Sequence, residues 1–292
     1  MTASAVPRRP VAYGRPGPSR WSGAVKTVAY LALAFYAAVS LYPFLWMASG
    51  AFKDRAEILA GGHLLPDHPT LDTLLQTWSR LHFLDYFVNS LKVTGLTVLG
   101  VLAIYSLASY AFAVLDFPGR RFLFWFFVAL LFVPGITVLL PVVILEDRLG
   151  VLGTHLGLVL PFVNGMAPLT VLMLTNAFRS IPGELRDAAR VDGASEARIF
   201  WRVYLPLSRP TLITVAVLSA VPTWNEYVLT RVSLNDEARY TLPLALESLA
   251  TGNVPQYNEI MAGSLIIVVP VILLFLALQR YFVTGLAGAV KD

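Results

Sequence analysis

Charged residues stand far apart along this 292-residue chain, and the intervals between them are apolar. No Lys, Arg, Asp or Glu occurs in residues 27–52, 93–115, 122–145, 149–178 or 260–279. A helix crossing the hydrocarbon core of a bilayer needs about 20 predominantly apolar residues. Each of the five intervals reaches that length, so each predicts a spanning helix. A sixth interval, 210–230, carries a single acid, Glu226, near its end. One acid near an interface costs far less than one at the midplane. The pattern predicts an all-α integral membrane protein with six transmembrane helices.

The basic residues orient these helices, because cytoplasmic loops are enriched in Lys and Arg. With the N-terminus inside, 15 of the 22 basic residues fall in inside segments: Arg8, Arg9, Arg15, Arg20 and Lys26; Arg120 and Arg121; Arg179, Arg186, Arg190, Arg198, Arg202 and Arg209; Arg280 and Lys291. Six fall outside: Lys53, Arg55, Arg80, Arg148, Arg231 and Arg239. Lys92 sits at the outer end of the second span. Both termini are therefore expected in the cytoplasm. Residues 1–25, rich in Pro, Gly and Arg, read as a disordered cytoplasmic tail. The apolar run that follows is too long for a signal peptide, whose apolar region is about 7–15 residues. Residues 26–283 form the six-span domain, and 284–292 a cytoplasmic C-terminal tail. An outer loop, 50–86, contains turn signals at Gly61-Gly62 and Pro66-Asp67. Leu74, Leu75 and Trp78 in it predict a short interfacial helix.

Composition narrows the class. The chain is 57% hydrophobic and 14% charged, with a mean hydropathy of +0.67. A soluble domain is nearer half apolar and about 25% charged. Soluble enzymes, disordered proteins, coiled coils and nucleic-acid binders are excluded; the pI of 9.4 reflects a net charge of only +4. There is no cysteine, so disulfides, thiolate metal sites and Cys nucleophiles are excluded. The four histidines, at 63, 68, 82 and 155, form no helical pair, and no metal site is expected.

One inside segment, 179–209, is too long for a plain connector, and such segments usually carry function. Pro182 suits a first helical turn and Glu184 its positive end. Helix formers run to Arg190, and Asp192-Gly193 is a turn signal. A second helix is predicted from Ser195 to Tyr204, with Ile199, Phe200 and Val203 on one face and Arg198 and Arg202 on another. Pro206 is expected to stop it. Ala188 and Ala189, just before the turn, would let another backbone approach closely. From these residues alone, docking to a partner protein and lying on anionic lipid are both open.

The segment resembles the EAA loop of ABC importer permeases: Asp187-Ala188-Ala189, then Gly193, Val203 and Leu205-Pro206 at that family's spacing. Asp187 stands where the family has Glu, and Val203 where it has Ile. Over most of the chain beyond residue 25, the sequence is similar to the maltose-type, carbohydrate-uptake branch. The matching stretches are Tyr42-Pro43 to Trp46, Ala51-Phe52-Lys53, Asn89-Ser90-Leu91, Phe117-Pro118-Gly119-Arg120, Trp224-Asn225-Glu226-Tyr227, Gly285-Leu286 and Gly288-Ala289-Val290-Lys291.

The resemblance implies a type I ABC importer permease fold in a prokaryotic cytoplasmic membrane and import of a mono- or oligosaccharide. The solute would be delivered by an extracytoplasmic binding protein, docked on outer-loop charges such as Asp67, Asp72, Asp85, Glu146, Asp147, Asp236 and Glu237. It further implies a second, homologous permease subunit and two copies of an ABC ATPase. No Gly-x-x-x-x-Gly-Lys-[Ser/Thr] motif occurs in this chain. ATP and Mg are accordingly expected on the partner ATPase, with no catalytic residue or cofactor here. The residues implied to couple to that ATPase are Glu184, Asp187, Ala188, Ala189, Asp192, Gly193, Phe200, Leu205 and Pro206. Trp224, Asn225, Glu226 and Tyr227 are candidates for the pathway or its gate. Glycerol phosphate and amino sugars are alternative cargoes. A proton-coupled secondary transporter is a weaker alternative, since it would want several buried acids or histidines, or repeat-related broken helices.

Overall fold

The computed structural model describes residues 23–61, 63–80, 83–251 and 256–289. The predicted tail up to residue 22, and residues 290–292 at the other end, lie outside the described residues. The structure divides into two units, Met1–Trp46 and Met47–Asp292. In the first, the described residues belong to helix α1 (Gly23–Gly50), which carries no charge after Lys26 and leaves Tyr30, Phe35 and Tyr36 exposed. A helix apolar on all sides, with its side chains uncovered, is what lipid contact requires.

The second unit opens with two short outer-loop helices, α2 (Arg55–Ala60) and α3 (Asp72–Arg80). Lys53, only 6% exposed, ties the loop together. Its ammonium donates to the His63 carbonyl and pairs with Glu57 at 3.8 Å. In α3, Thr73 and Thr77 face inward while Leu75 and Trp78 are exposed, the inverse of a helix on a soluble protein.

The core lies between α4 (Phe83–Val114) and α7 (His155–Arg179). Small and hydroxylated residues allow these helices to approach, as is usual where lipid removes the hydrophobic drive between helices. Ser106 and Ser109 of α4 are buried, and a Cβ on Gly100 would lie 2.9 Å from Val163 Cγ2. Of two further spans, α11 (Arg209–Trp224) packs against this pair, and α14 (Tyr257–Ala289) packs against α11 and the outer-loop helix α3.

Among the described residues, four helices (α1, α4, α7 and α14) are long and apolar enough to cross a membrane unbroken, and two bent helix pairs, each counted as one span, bring the number to six. The predicted span 122–145 is not one straight helix. It divides into α5 (Arg120–Ala129) and α6 (Leu139–Arg148), and the two arms meet at 99°. Pro134 causes the break: it lacks an N–H, and it biases Val133 toward the extended conformation seen there, φ −85° and ψ 114°. The predicted span 210–230 is shorter than expected. It stops at Trp224, and residues beyond the break form the short α12 (Val228–Ser233). One further helix, α13 (Leu242–Thr251), precedes α14.

Candidate functional site

In the 179–209 segment, α8 (Gly183–Val191) begins after Pro182 as its sequence predicts. Glu184, Asp187, Ala188 and Val191 recur at three- and four-residue intervals, so they share one face. All four are exposed. Ala189 is half-buried against the core. The helix ends in a Schellman motif: the Gly193 N–H donates to the Arg190 carbonyl at 3.0 Å, and the Ala194 N–H to Ala189 at 2.9 Å. That closure places Gly193 at φ +77°, a conformation that only glycine adopts freely. Asp192 is the exposed C-cap.

Ser195 then caps α9 (Glu196–Ile199), its hydroxyl accepting from the Arg198 N–H at 3.4 Å. The predicted helix does not run regularly to Tyr204, and Pro206 does not stop it. A π-helical turn, Phe200–Tyr204, intervenes, and α10 (Leu205–Leu207) carries the chain past Pro206. A π turn shifts the hydrogen-bond register by one residue, which accommodates a proline without its own N–H. Residues 196–207 run at 78° to α11 and make with it the second of the two bent pairs. Phe200 is 3% exposed, so it anchors this arm inside the chain rather than forming its outer surface. Leu205 is half-buried and Pro206 exposed.

The strongest polar contact in the segment is at Glu196, which the sequence did not single out. Its Oε1 accepts from Arg186 Nη2 at 3.0 Å and from Arg190 Nε at 2.9 Å and Nη2. Its Oε2 accepts from the Tyr110 hydroxyl at 2.6 Å. Partial burial would raise this carboxyl, but the hydrogen bonds from Tyr110, Arg190 and Arg186 outweigh it and hold the group down to about 2. Glu196 therefore joins α8, α9 and the distant α4. One signal was available for its arginine partners alone: Arg186 and Arg190 are spaced i, i+4 on α8 and so can reach one common neighbour.

The four candidate pathway residues divide in their roles. Trp224 is buried; its indole N–H donates to the Ile267 carbonyl at 3.2 Å, and its ring meets Phe87 edge-on at 5.7 Å. It ties α11 to α14 and α4. Asn225 is exposed and donates back to Val221 at 2.9 Å. Glu226 caps α12, accepting from the Leu229 and Thr230 N–H groups at 2.8 and 3.1 Å and from the Thr230 hydroxyl at 3.0 Å. Tyr227 packs half-buried against the core. A cavity of about 310 Å³ joins the two helix breaks, lined by Gly135 and Ile136 from one, Glu226 and Val228 from the other, and Phe162 and Gly165 of α7.

Residues 98–288 match the family model described as the binding-protein-dependent transport system inner membrane component. The chain belongs to this family. It is 33% identical to the galactooligosaccharides transport system permease protein GanQ of Bacillus subtilis, over 90% of this chain and 94% of that protein. It is also 33% identical to the trehalose transport system permease protein SugB of Mycobacterium tuberculosis, over 86% and 93%. In fold it is similar to a chain of a bacterial ABC transporter involved in the import of the acidic polysaccharide alginate. The TM-score is 0.81 at 26% identity, covering 92% of this chain and all of that one.

The fold is thus that of a type I ABC importer permease, a multi-pass membrane protein and a non-catalytic subunit. Among the described residues, no group of three or more His, Cys, Asp or Glu could hold a metal ion.

Proposed function

We propose that this chain is one of two permease subunits in an ATP-driven importer of an oligosaccharide, set in a bacterial cytoplasmic membrane. A second, homologous permease completes the path, since six spans are few to enclose a sugar-sized passage. Two copies of an ABC ATPase hold the ATP and Mg, and an extracytoplasmic binding protein delivers the sugar. The supporting observation is the exposed face Glu184–Asp187–Ala188 followed by the closed turn at Gly193. Small and acidic groups on a short protruding helix offer a compact, complementary knob for a groove on the ATPase. The cargo class follows the relatives, whose names include galactooligosaccharides, trehalose and lactose.

In the mechanism, closure of the ATPase dimer pulls on residues 183–206 and swings the spans between inward- and outward-open states as rigid bodies. The cavity between the two helix breaks supports placing the pathway gate there, with Glu226 holding the second break in shape. Uptake of radiolabelled oligosaccharides into proteoliposomes holding the assembled complex tests this reading. Uptake should require both internal ATP and the binding protein outside. Uptake driven by a proton gradient without ATP would contradict it.

A further inference from the structure

We propose that Tyr110 and Glu196 form the joint that passes displacement of the 183–207 segment into the spans. The inference rests on the reading of that segment as the ATPase dock. Tyr110 lies on α4 and is 5% exposed, while Glu196 lies 86 residues away in sequence. Their hydrogen bond, at 2.6 Å, links a side chain of α4 directly to one of the segment.

Around it the packing converges. The Tyr110 ring meets Phe200 at 5.2 Å, Tyr204 at 5.0 Å and Phe178 of α7 at 6.3 Å, each edge-on. All four rings are buried. One end of Tyr110 is thus held among rings from both arms of the junction, and its hydroxyl end grips Glu196. The other oxygen of Glu196 holds Arg186 and Arg190, on the helix that would sit in the ATPase. A pull on α8 therefore reaches α4 along one chain of contacts: arginines, carboxylate, phenol. Aromatic packing alone resists compression but allows rings to slide. A hydrogen bond to an ionised carboxylate is directional and stronger than a neutral one, so it fixes how far and which way the two parts move together. Tyr110 touches no transported solute in this scheme; it is a positioning residue.

The absence of cysteine makes a clean test available. Spin labels at Leu185→Cys on α8, off the Glu184–Asp187–Ala188 face, and Leu107→Cys on α4 occupy exposed sites, and their separation is measured in the purified complex with its ATPase, with and without ATP and vanadate. In the otherwise wild-type chain, one narrow distance should persist in both conditions, because the two helices move as one body. Tyr110→Phe keeps the ring packing and loses only the hydroxyl. It should split or broaden the distance when ATP and vanadate are added, while ATP hydrolysis continues within about twofold of wild type and the two-state coupling falls by roughly fivefold or more. Glu196→Gln should do the same, and the double variant should be no worse than either single change.

A merely structural role predicts the same distance distribution with and without nucleotide in Tyr110→Phe, and that result overturns the joint. Additive losses in the double variant overturn it as well. If no ATPase accompanies the chain, the docking reading and the joint fall together. If an ATPase accompanies it and the variants track wild type, the joint alone falls.

Discussion

Substituting Gly193 separates backbone strain from side-chain contact at the turn of the coupling segment. Its φ of +77° is left-handed, and no heavy atom lies within 4 Å of where a Cβ would sit. The penalty for a side chain is therefore conformational. It is about 1–2 kcal/mol for an ordinary L-residue and small for Asn, which visits this region; a β-branched residue there is a genuine outlier. Should the turn open to relieve the strain, its two closing hydrogen bonds go too, each contributing about 0.5–1.5 kcal/mol net. Damage should rise in the order Asn, Ala, Val. Gly193→Val should lose about 2 kcal/mol of turn stability, roughly 30-fold in the population of the closed form. The assay is sugar taken up per ATP hydrolysed in the reconstituted complex, with hydrolysis alone as a control. Gly193→Val should hydrolyse ATP with little uptake, and Gly193→Asn should stay near wild type. If Asn and Ala are as harmful as Val, partner contact and not backbone geometry governs the site. Wild-type uptake in Gly193→Val would remove the turn from the mechanism.

Glu226→Ala should weaken the cap of α12 by about 0.5–2 kcal/mol and lower uptake, with Glu226→Gln losing less because one acceptor oxygen remains; equal losses in uptake assays would show that the charge itself matters. Gly100→Leu should overpack the α4–α7 contact and cost about 1–3 kcal/mol, read as a lower melting temperature; Val163→Ala in the same chain should recover part of it, and no recovery would contradict the packing account. The pH dependence has a defined sign. Glu196 is held at about 2 against an ordinary 4.5, so its grip on Arg186, Arg190 and Tyr110 is fully present above about pH 4.5 and is lost as pH falls toward 2. Uptake per ATP should be flat from about pH 5 to 8 on this account; a loss near pH 6 that Glu196→Gln abolishes would contradict it.

The spans were legible because bilayer thickness imposes a length, and charge-free intervals record it directly. The two breaks were less legible. Pro134 was visible, but prolines occur both inside continuous helices here, as at Pro161 and Pro168 of α7, and at breaks. What decides is whether neighbouring groups can satisfy the freed backbone, which sequence spacing does not reveal. The Gly193 turn was legible because a left-handed cap has a strong local signature. The π turn before Pro206 was not, since it depends on Ile199, Phe200 and Tyr204 being drawn into one core. Glu196 was missed for the same reason. Its partner Tyr110 lies on another helix, and nothing local marks a contact made across 86 residues.

The central claim is that this chain works only as part of an ATP-driven assembly. The most direct measurement is affinity purification of the tagged full chain in mild detergent, with mass spectrometry of what accompanies it and an ATPase assay on the eluate. The account predicts an ABC ATPase, a second six-span permease and measurable hydrolysis. A chain that purifies alone as a stable homo-oligomer without ATPase activity would contradict it.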